Sequence, residues 1–281
     1  MRRAAEPRAI LRVGSHDAGP RDDLIAVEAP LTLTSQGDVW LTTMRTPGHD
    51  RELLVGWLFH EGLVRDPRAE ISSLSVCGRP FDASYGDAYD LVPNAAMETR
   101  LKARDPAAFS RTQLTSCGVC GRQSLDDLVF EARSLRPGNT PRPWSSSTLT
   151  QLFTTFGGTQ PLFAQTGCTH GASVVNTVGR VLVTREDVGR HNAVDKVVGH
   201  LALSGQLPVA GDQALLVSSR ASLEIVHKAH LAGFSAVFCL SAPTSLAVDL
   251  AQQCGILLAG FFRAGGFNIY SEHQRVVGVL P

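Results

Sequence analysis

From Ala172 to Phe262 the sequence switches repeatedly between two hydrophobic periods, and few folds accept that pattern. Ala172–Val175 and Arg180–Thr184 read as a hairpin around Gly179. Val188–Leu203 then places Val194, Val197, Val198 and Leu201 at i, i+3, i+4 and i+7, the spacing of one helix face. Strand Ala214–Val217, helix Ser222–Ala232, strand Ala236–Leu240, helix Ser245–Cys254 and strand Ile256–Phe262 follow in turn. Each helix must bury its apolar stripe against a sheet, so a hairpin followed by this alternation predicts a three-layer αβα sandwich. A helix starting at Ser147 and stopped by Gly157-Gly158 precedes the hairpin, so this unit is placed at residues 144–281.

The first half reads as a smaller α+β domain over residues 23–110. Leu24 to Thr43 alternates in period 2, with a turn expected at Gly37-Asp38. Asp50 is positioned to cap a helix carrying Leu53, Leu54, Trp57 and Leu58, and Gly62 ends it. Ile71–Val76 and Ala88–Val92 read as further strands. Residues 1–22, with Pro7, Gly14, Gly19 and Pro20 among charges, are expected as a flexible lead-in. Residues 111–143 are expected as a mobile loop and a proline-rich linker, with a short helix at Ser124–Arg133.

Composition narrows the function classes. Twenty-six basic residues balance 26 acidic ones, so no bulk charge draws the chain to nucleic acid or a membrane. No apolar run reaches the roughly 18 residues a spanning helix needs. The start, Met1 to Pro7, has no apolar core of the kind a secretory signal carries. Six cysteines are dilute over 281 residues, which suits reduced thiols in a cytoplasmic chain better than a disulfide framework.

Chemistry-bearing residues concentrate in a few segments. Cys117-Gly118-Val119-Cys120 puts two thiols three positions apart among glycines, where packing gives no reason for them. Such a pair serves redox chemistry, half a zinc site or sulfur transfer. No second Cys-x-x-Cys completes a zinc site, and no thioredoxin-like unit surrounds the pair. Arg111 and Arg122 favour a thiolate, whereas Asp126 and Asp127 oppose it. In Glu186-Asp187-Val188-Gly189-Arg190-His191-Asn192-Ala193-Val194-Asp195-Lys196, Asp187 suits a helix cap. Arg190, His191, Asn192, Asp195 and Lys196 exceed what capping needs, and Gly189 admits a ligand close to the backbone. Ser219, Arg220 and Ser222 pass from a strand end into a helix, a place that attracts phosphate, with Ser222 as a plain N-cap the simpler alternative. Ser241 to Ser245 repeats that arrangement one strand later, and Gly260 to Gly266, with Arg263, follows the last strand. Glu224, His227 and His230 drift around their helix, so a packed or solvated face explains them better than a metal stripe. No P-loop, dinucleotide fingerprint, nucleophile elbow or zinc-deaminase motif is present.

These segments together resemble the FdhD family of formate dehydrogenase accessory sulfur carriers. The resemblance runs through Thr46-Pro47, Glu52-Leu53, Glu61-Gly62, the Cys117–Cys120 pair, Thr166-Gly167 with His170, and the long Glu186–Lys196 motif. It continues through Ser219-Arg220 with Ser222 and Glu224, and through Ala242-Pro243-Thr244-Ser245-Leu246-Ala247. It implies a sulfur carrier that receives sulfur from a cysteine desulfurase as a persulfide. The sulfur then passes to the molybdenum bis(guanine dinucleotide) cofactor before insertion into formate dehydrogenase. Cys117 is then the persulfide carrier and Cys120 its assistant, and the cofactor is bound transiently with no resident metal. The resemblance also implies a cytidine-deaminase-like C-terminal domain, a homodimer, and a guanine-binding segment at Phe261-Phe262-Arg263-Ala264-Gly265-Gly266. Asp187, Arg190, His191, Asn192, Lys196, Ser219, Arg220 and Ser222 complete the expected cofactor site, with Arg190, Arg220 and Arg263 as phosphate holders. One departure stands out: Cys168 and Gly171 occupy positions where the family pattern has glycine and alanine. The competing readings are a cofactor-binding chaperone without covalent sulfur, a thiol–disulfide oxidoreductase and a structural zinc protein.

Overall fold

The computed structural model of the chain describes residues 3–14, 18–77, 87–104 and 141–279. Strands β1 (Ala5–Arg12) and β2 (Gly19–Ala26) pair antiparallel from Ala5↔Ala26 to Arg12↔Gly19. The expected lead-in is therefore largely a hairpin. Its side chains stay mostly outside, with Leu11 71% exposed, so backbone pairing rather than burial forms it and no hydrophobic period betrays it.

A four-stranded sheet follows, in the order β4-β3-β6-β5, from β3 (Ala29–Ser35), β4 (Asp38–Arg45), β5 (Ile71–Cys77) and β6 (Asp87–Pro93). Ala29, Leu31, Leu33 and Ser35 alternate inward along β3. The hairpin turn sits one residue earlier than expected, at Gln36-Gly37, both with positive φ (54° and 89°). Helix α1 (Asp50–His60) covers this sheet with Leu53, Leu54, Trp57 and Leu58. Asp50 does not cap it. The N-cap is His49 in the left-handed region, and the Asp50 carboxylate instead takes two hydrogen bonds from the fully buried Arg45, at 3.0 and 2.8 Å. Short α2 (Pro67–Glu70) and α3 (Ala95–Lys102), the latter capped by Asn94, complete the unit.

The second half holds a six-stranded sheet. After β7 (Trp144–Ser145), α4 (Ser146–Thr155) and α5 (Pro161–Thr166) come β8 (His170–Asn176), β9 (Val181–Asp187) and α6 (Arg190–Leu203). Then β10 (Gln213–Val217), α7 (Leu223–Leu231), β11 (Ala236–Cys239), α8 (Ser245–Cys254), β12 (Leu257–Arg263) and β13 (Gly266–Ile269) alternate. The order is β13-β12-β11-β10-β8-β9, with β10, β11 and β12 parallel. β14 (Val276–Val277) pairs with β7.

Both faces of this sheet are buried. Leu215, Val217, Val237 and Leu258 point to α6, α7 and α8, while Ala214, Leu216, Phe238 and Ala259 point to α4 and Trp144. Three layers result, as the alternation of periods predicts. The α4 cap is Ser145, two residues before the expected one; its Oγ accepts from the Thr148 amide at 3.0 Å. α1 of the first half and α6 of the second meet in backbone contact at Gly56 and Gly199. No helix among the described residues is long and apolar enough to cross a membrane.

Candidate functional site

Sheet register gathers the motif segments along one edge. His170 stands opposite Asp187, Val217 is flanked by Ala172 and Cys239, and Cys239 pairs with Gly260. The loops after β9, β10, β11 and β12 therefore leave the sheet side by side, at the carboxyl ends of its parallel strands, where α/β sheets bind ligands. Ser218 ties two of them together: its amide donates to Gly171 O and its Oγ accepts from the Gly171 amide, both at 2.9 Å.

Most polar groups of the Glu186–Lys196 motif are spent inside the protein. Glu186 caps α5 from a distance, accepting from the Leu162 and Phe163 amides at 2.9 and 2.6 Å and from Thr169 Oγ1 at 3.0 Å. Asp187 and Lys196 form a buried ion pair at 2.7 Å. Lys196 Nζ also donates to Thr46 O at 2.8 Å and Glu186 O at 3.1 Å, and Asp187 accepts from the Thr46 and Gly189 amides at 3.1 and 2.8 Å. Asn192 Nδ2 donates to Met44 O at 2.8 Å and to Asp187 at 3.1 Å, while the Val188 amide donates to Thr46 Oγ1 at 3.1 Å. Asp195 faces the other way, taking Lys228 Nζ on both oxygens at 2.6 Å and His60 Nδ1 at 2.6 Å. Asp187, Asn192 and Lys196, expected as ligand contacts, thus lock the exit of β4 into the second half.

Two residues of the motif are less fully engaged. Arg190 opens α6, and its enclosed Nε has no partner among the described residues. His191, 6% exposed, brings Nε2 to 2.6 Å from Glu224 Oε2 on α7, an ion-pair approach without hydrogen-bond alignment, and its Nδ1 has no partner there either. Neither α6 nor α7 has a side-chain cap: Gly189 has none to offer, and the enclosed Ser222 Oγ makes no hydrogen bond among the described residues. Neither helix mouth is closed by a side-chain cap, although Glu224 sits in the first turn of α7 and Asp187 takes the Gly189 amide ahead of α6. Arg220 lies exposed beside them, while Ser219 Oγ is turned back onto Arg220 O at 3.0 Å. His170 is held below the ordinary histidine pKa by partial burial first, then by Arg190, His191 and Arg220, with Asp187 opposing.

The Phe261–Gly266 segment bounds the same edge. Phe261 and Ala264 take positive φ (58° and 49°), strained for side-chain-bearing residues, beside a bulge between Gly260 and Arg263. The Phe261 ring is 42% exposed, whereas Phe262 turns inward and stacks on Phe153 at 5.3 Å. Arg263 lies over Phe261, 4.9 Å from its centroid, and donates to Phe262 O at 2.6 Å. It is engaged with its own hairpin rather than extended toward the helix mouths. Beneath, the Cys239 sulfur fills the space where a side chain on Gly260 would begin, and burial pushes its thiol pKa up to about 12.

Cys117 and Cys120, with Arg111, Arg122, Asp126 and Asp127, lie outside the described residues. Cys168 is exposed, just before His170. At the other departure, a methyl on Gly171 would collide with buried Gln160, its Cβ 2.4 Å from Oε1, so Gln160 fills that space. No group of three or more His, Cys, Asp or Glu among the described residues is arranged to hold a metal. His227 and His230 are buried in the α7 packing. Sequence reasoning gave no role to Thr46, His60, Lys228 or the Glu52–Arg185 pair (2.5 and 2.8 Å). Their partners lie more than 130 residues away for Thr46, His60 and Glu52, and no local period marks them.

Comparison with known proteins identifies the family of the chain. The model of the FdhD/NarQ family matches residues 26–277. The protein named sulfur carrier protein FdhD from Anaeromyxobacter sp. strain K is 39% identical over 291 aligned positions, covering 98% of this chain and 97% of that one. The protein of that name from Corynebacterium efficiens is 41% identical, covering 94% and 95%, and that from Mycobacterium tuberculosis 37%, covering 97% and 99%. A crystal structure of a candidate formate dehydrogenase accessory protein from Desulfotalea psychrophila superposes with a TM-score of 0.71 at 21% identity, covering 98% and 100%, which speaks to the fold. With the motif segments gathered on one sheet edge and the family model matched almost end to end, the chain belongs to the FdhD/NarQ family.

Proposed function

We propose that the chain is a sulfur carrier for formate dehydrogenase maturation. It takes sulfur from a cysteine desulfurase as a persulfide on Cys117 and delivers it to a molybdenum bis(guanine dinucleotide) cofactor held at the edge described above. The observation that carries this reading is the convergence of two helix mouths without side-chain caps on Arg190, Arg220 and the exposed ring of Phe261. Helix N-termini with arginines suit phosphates, and an exposed ring suits a stacked base. His191, braced by Glu224, keeps the first turns of α6 and α7 in register, and Glu186 fixes the approach to His170 through α5. The names of the curated relatives support the same role.

The chemistry asked of Cys117 is attack by its thiolate on the donor's persulfide sulfur, which releases the donor cysteine as a thiolate and leaves Cys117 carrying the outer sulfur. Incubation with a cysteine desulfurase and cysteine, followed by intact-mass measurement and peptide mapping, tests it. A reductant-labile gain of about 32 mass units on Cys117 is expected, the mass of one persulfide sulfur. Loss of that gain in Cys117→Ser completes the assignment. Guanine-nucleotide binding without any sulfur gain would favour a chaperone that never carries sulfur covalently.

A further inference from the structure

Charge at the helix mouths is unbalanced. Arg190 and His191 come from α6 and Arg220 from the loop after β10, and the pairing of β8 with β9 and β10 brings His170 to the same sheet edge. The carboxylates on the neighbouring elements are already committed: Asp187 on β9 is closed by Lys196, Glu186 on β9 is held by the α5 amides and Thr169 Oγ1, and Glu224 on α7 stands against His191. Arg190 Nε, His191 Nδ1 and Ser222 Oγ are enclosed and lack partners among the described residues, so the empty site leaves positive charge and donors unanswered.

We infer that the site takes up a proton on His170 together with its phosphate-bearing ligand. This rests on the reading of the edge as a phosphate pocket. In the empty site, burial and then Arg190 disfavour the imidazolium; Asp187 opposes them, and His191 and Arg220 add smaller pushes in the same direction as Arg190. A phosphate seated between Arg190 and Arg220 reverses the sign of the field at His170 and adds an acceptor for its N–H. A group whose pKa rises on binding must bind protons as the ligand arrives, so affinity must fall as pH rises through the histidine range.

Calorimetric titration of the full chain with GDP near pH 7.5, in buffers of different ionisation enthalpy, reads the proton count directly. Net uptake of about 0.3–1 proton per bound nucleotide is expected, with affinity falling by up to about tenfold per unit between roughly pH 6 and 8. Ionisation of the ligand's own phosphate would release protons, the opposite sign. His170→Gln, checked for folding by circular dichroism, should bind GDP with the uptake abolished. GDP binding by the wild type without net uptake, or full uptake in His170→Gln, overturns the inference while leaving the pocket intact. Failure of GDP to bind at all removes the phosphate-pocket reading, and the inference with it.

Discussion

The carbonyl oxygen of Glu52 occupies the space where a side chain on Gly199 would begin: a Cβ built there stands 1.8 Å from it. The reciprocal contact lies one turn away, where a Cβ on Gly56 would come 1.9 Å from Asp195 O. α1 and α6 therefore cross without side chains between them, and the obstruction is backbone, which cannot rotate aside. Gly199→Ala and Gly56→Ala should each cost about 3 kcal/mol or more, at the upper end of overpacking penalties. Denaturant unfolding measures this; a loss below about 1 kcal/mol for either would show that the helices can part cheaply.

The Asp187–Lys196 pair makes a second prediction. Lys196→Met leaves a carboxylate sealed from water without its cation, which costs roughly 3–5 kcal/mol. Adding Asp187→Asn should recover part of the loss, since an amide needs no counter-charge. A thermal-unfolding comparison of the single and double variants reads the coupling, and strict additivity would argue against the pair.

Acid should weaken the protein in a definite order. Burial, with help from Lys228, pushes the pKa of His60 below the ordinary value against the pull of Asp195. The unfolded chain then binds this proton first, so the stabilisation is complete above about pH 6.5 and is lost as pH falls through the folded value. Asp195 follows further down: burial opposes its charge, but Lys228 and His60 hold its pKa low, so its contribution is lost below about pH 4. His60→Gln, which can still donate to Asp195, should remove up to about 2 kcal/mol of the pH 7 to 5 decline, the ceiling for one proton in that window. An unchanged decline would place the titration elsewhere.

Thiol reactivity should divide sharply among the described cysteines. Cys239, with its pKa near 12, is expected to resist iodoacetamide at pH 8 in the folded protein, whereas exposed Cys168 alkylates readily. Timed peptide mass spectrometry distinguishes them, and comparable rates would mean that the Gly260 contact opens.

The arginines should divide as well. Arg220→Ala is expected to weaken GDP binding about tenfold, near 1.4 kcal/mol, as loss of a charge-assisted contact does. Arg263→Ala acts through Phe261, because Arg263 is bonded to its own hairpin. Isothermal titration in low salt compares them; equal losses would mean that Arg263 swings to the phosphates.

The sheet, α6, α7 and α8 were legible because burial on both faces enforces period 2 and period 3.6, and the boundaries of α8 fall at Ser245 and Cys254 as the spacing predicts. The β1–β2 hairpin was not, since Leu11 and its neighbours face water and leave no hydrophobic trace. Asp50 carries a good capping side chain, but a buried guanidinium outcompetes a helix terminus for it. Within the Glu186–Lys196 motif the density of polar groups is visible in the sequence, yet density does not reveal that Asp187 and Lys196 bond Thr46, a pairing that only the long-range approach of β4 creates.

Thr46 also sets a clock on synthesis. Its carbonyl waits for Lys196, 150 residues later in the chain. At roughly 5–20 residues per second, about eight to thirty seconds separate the synthesis of Thr46 from that of Lys196. The first half is thus born with an unfinished corner, and the final turn of the mold is supplied by residues that have yet to be made.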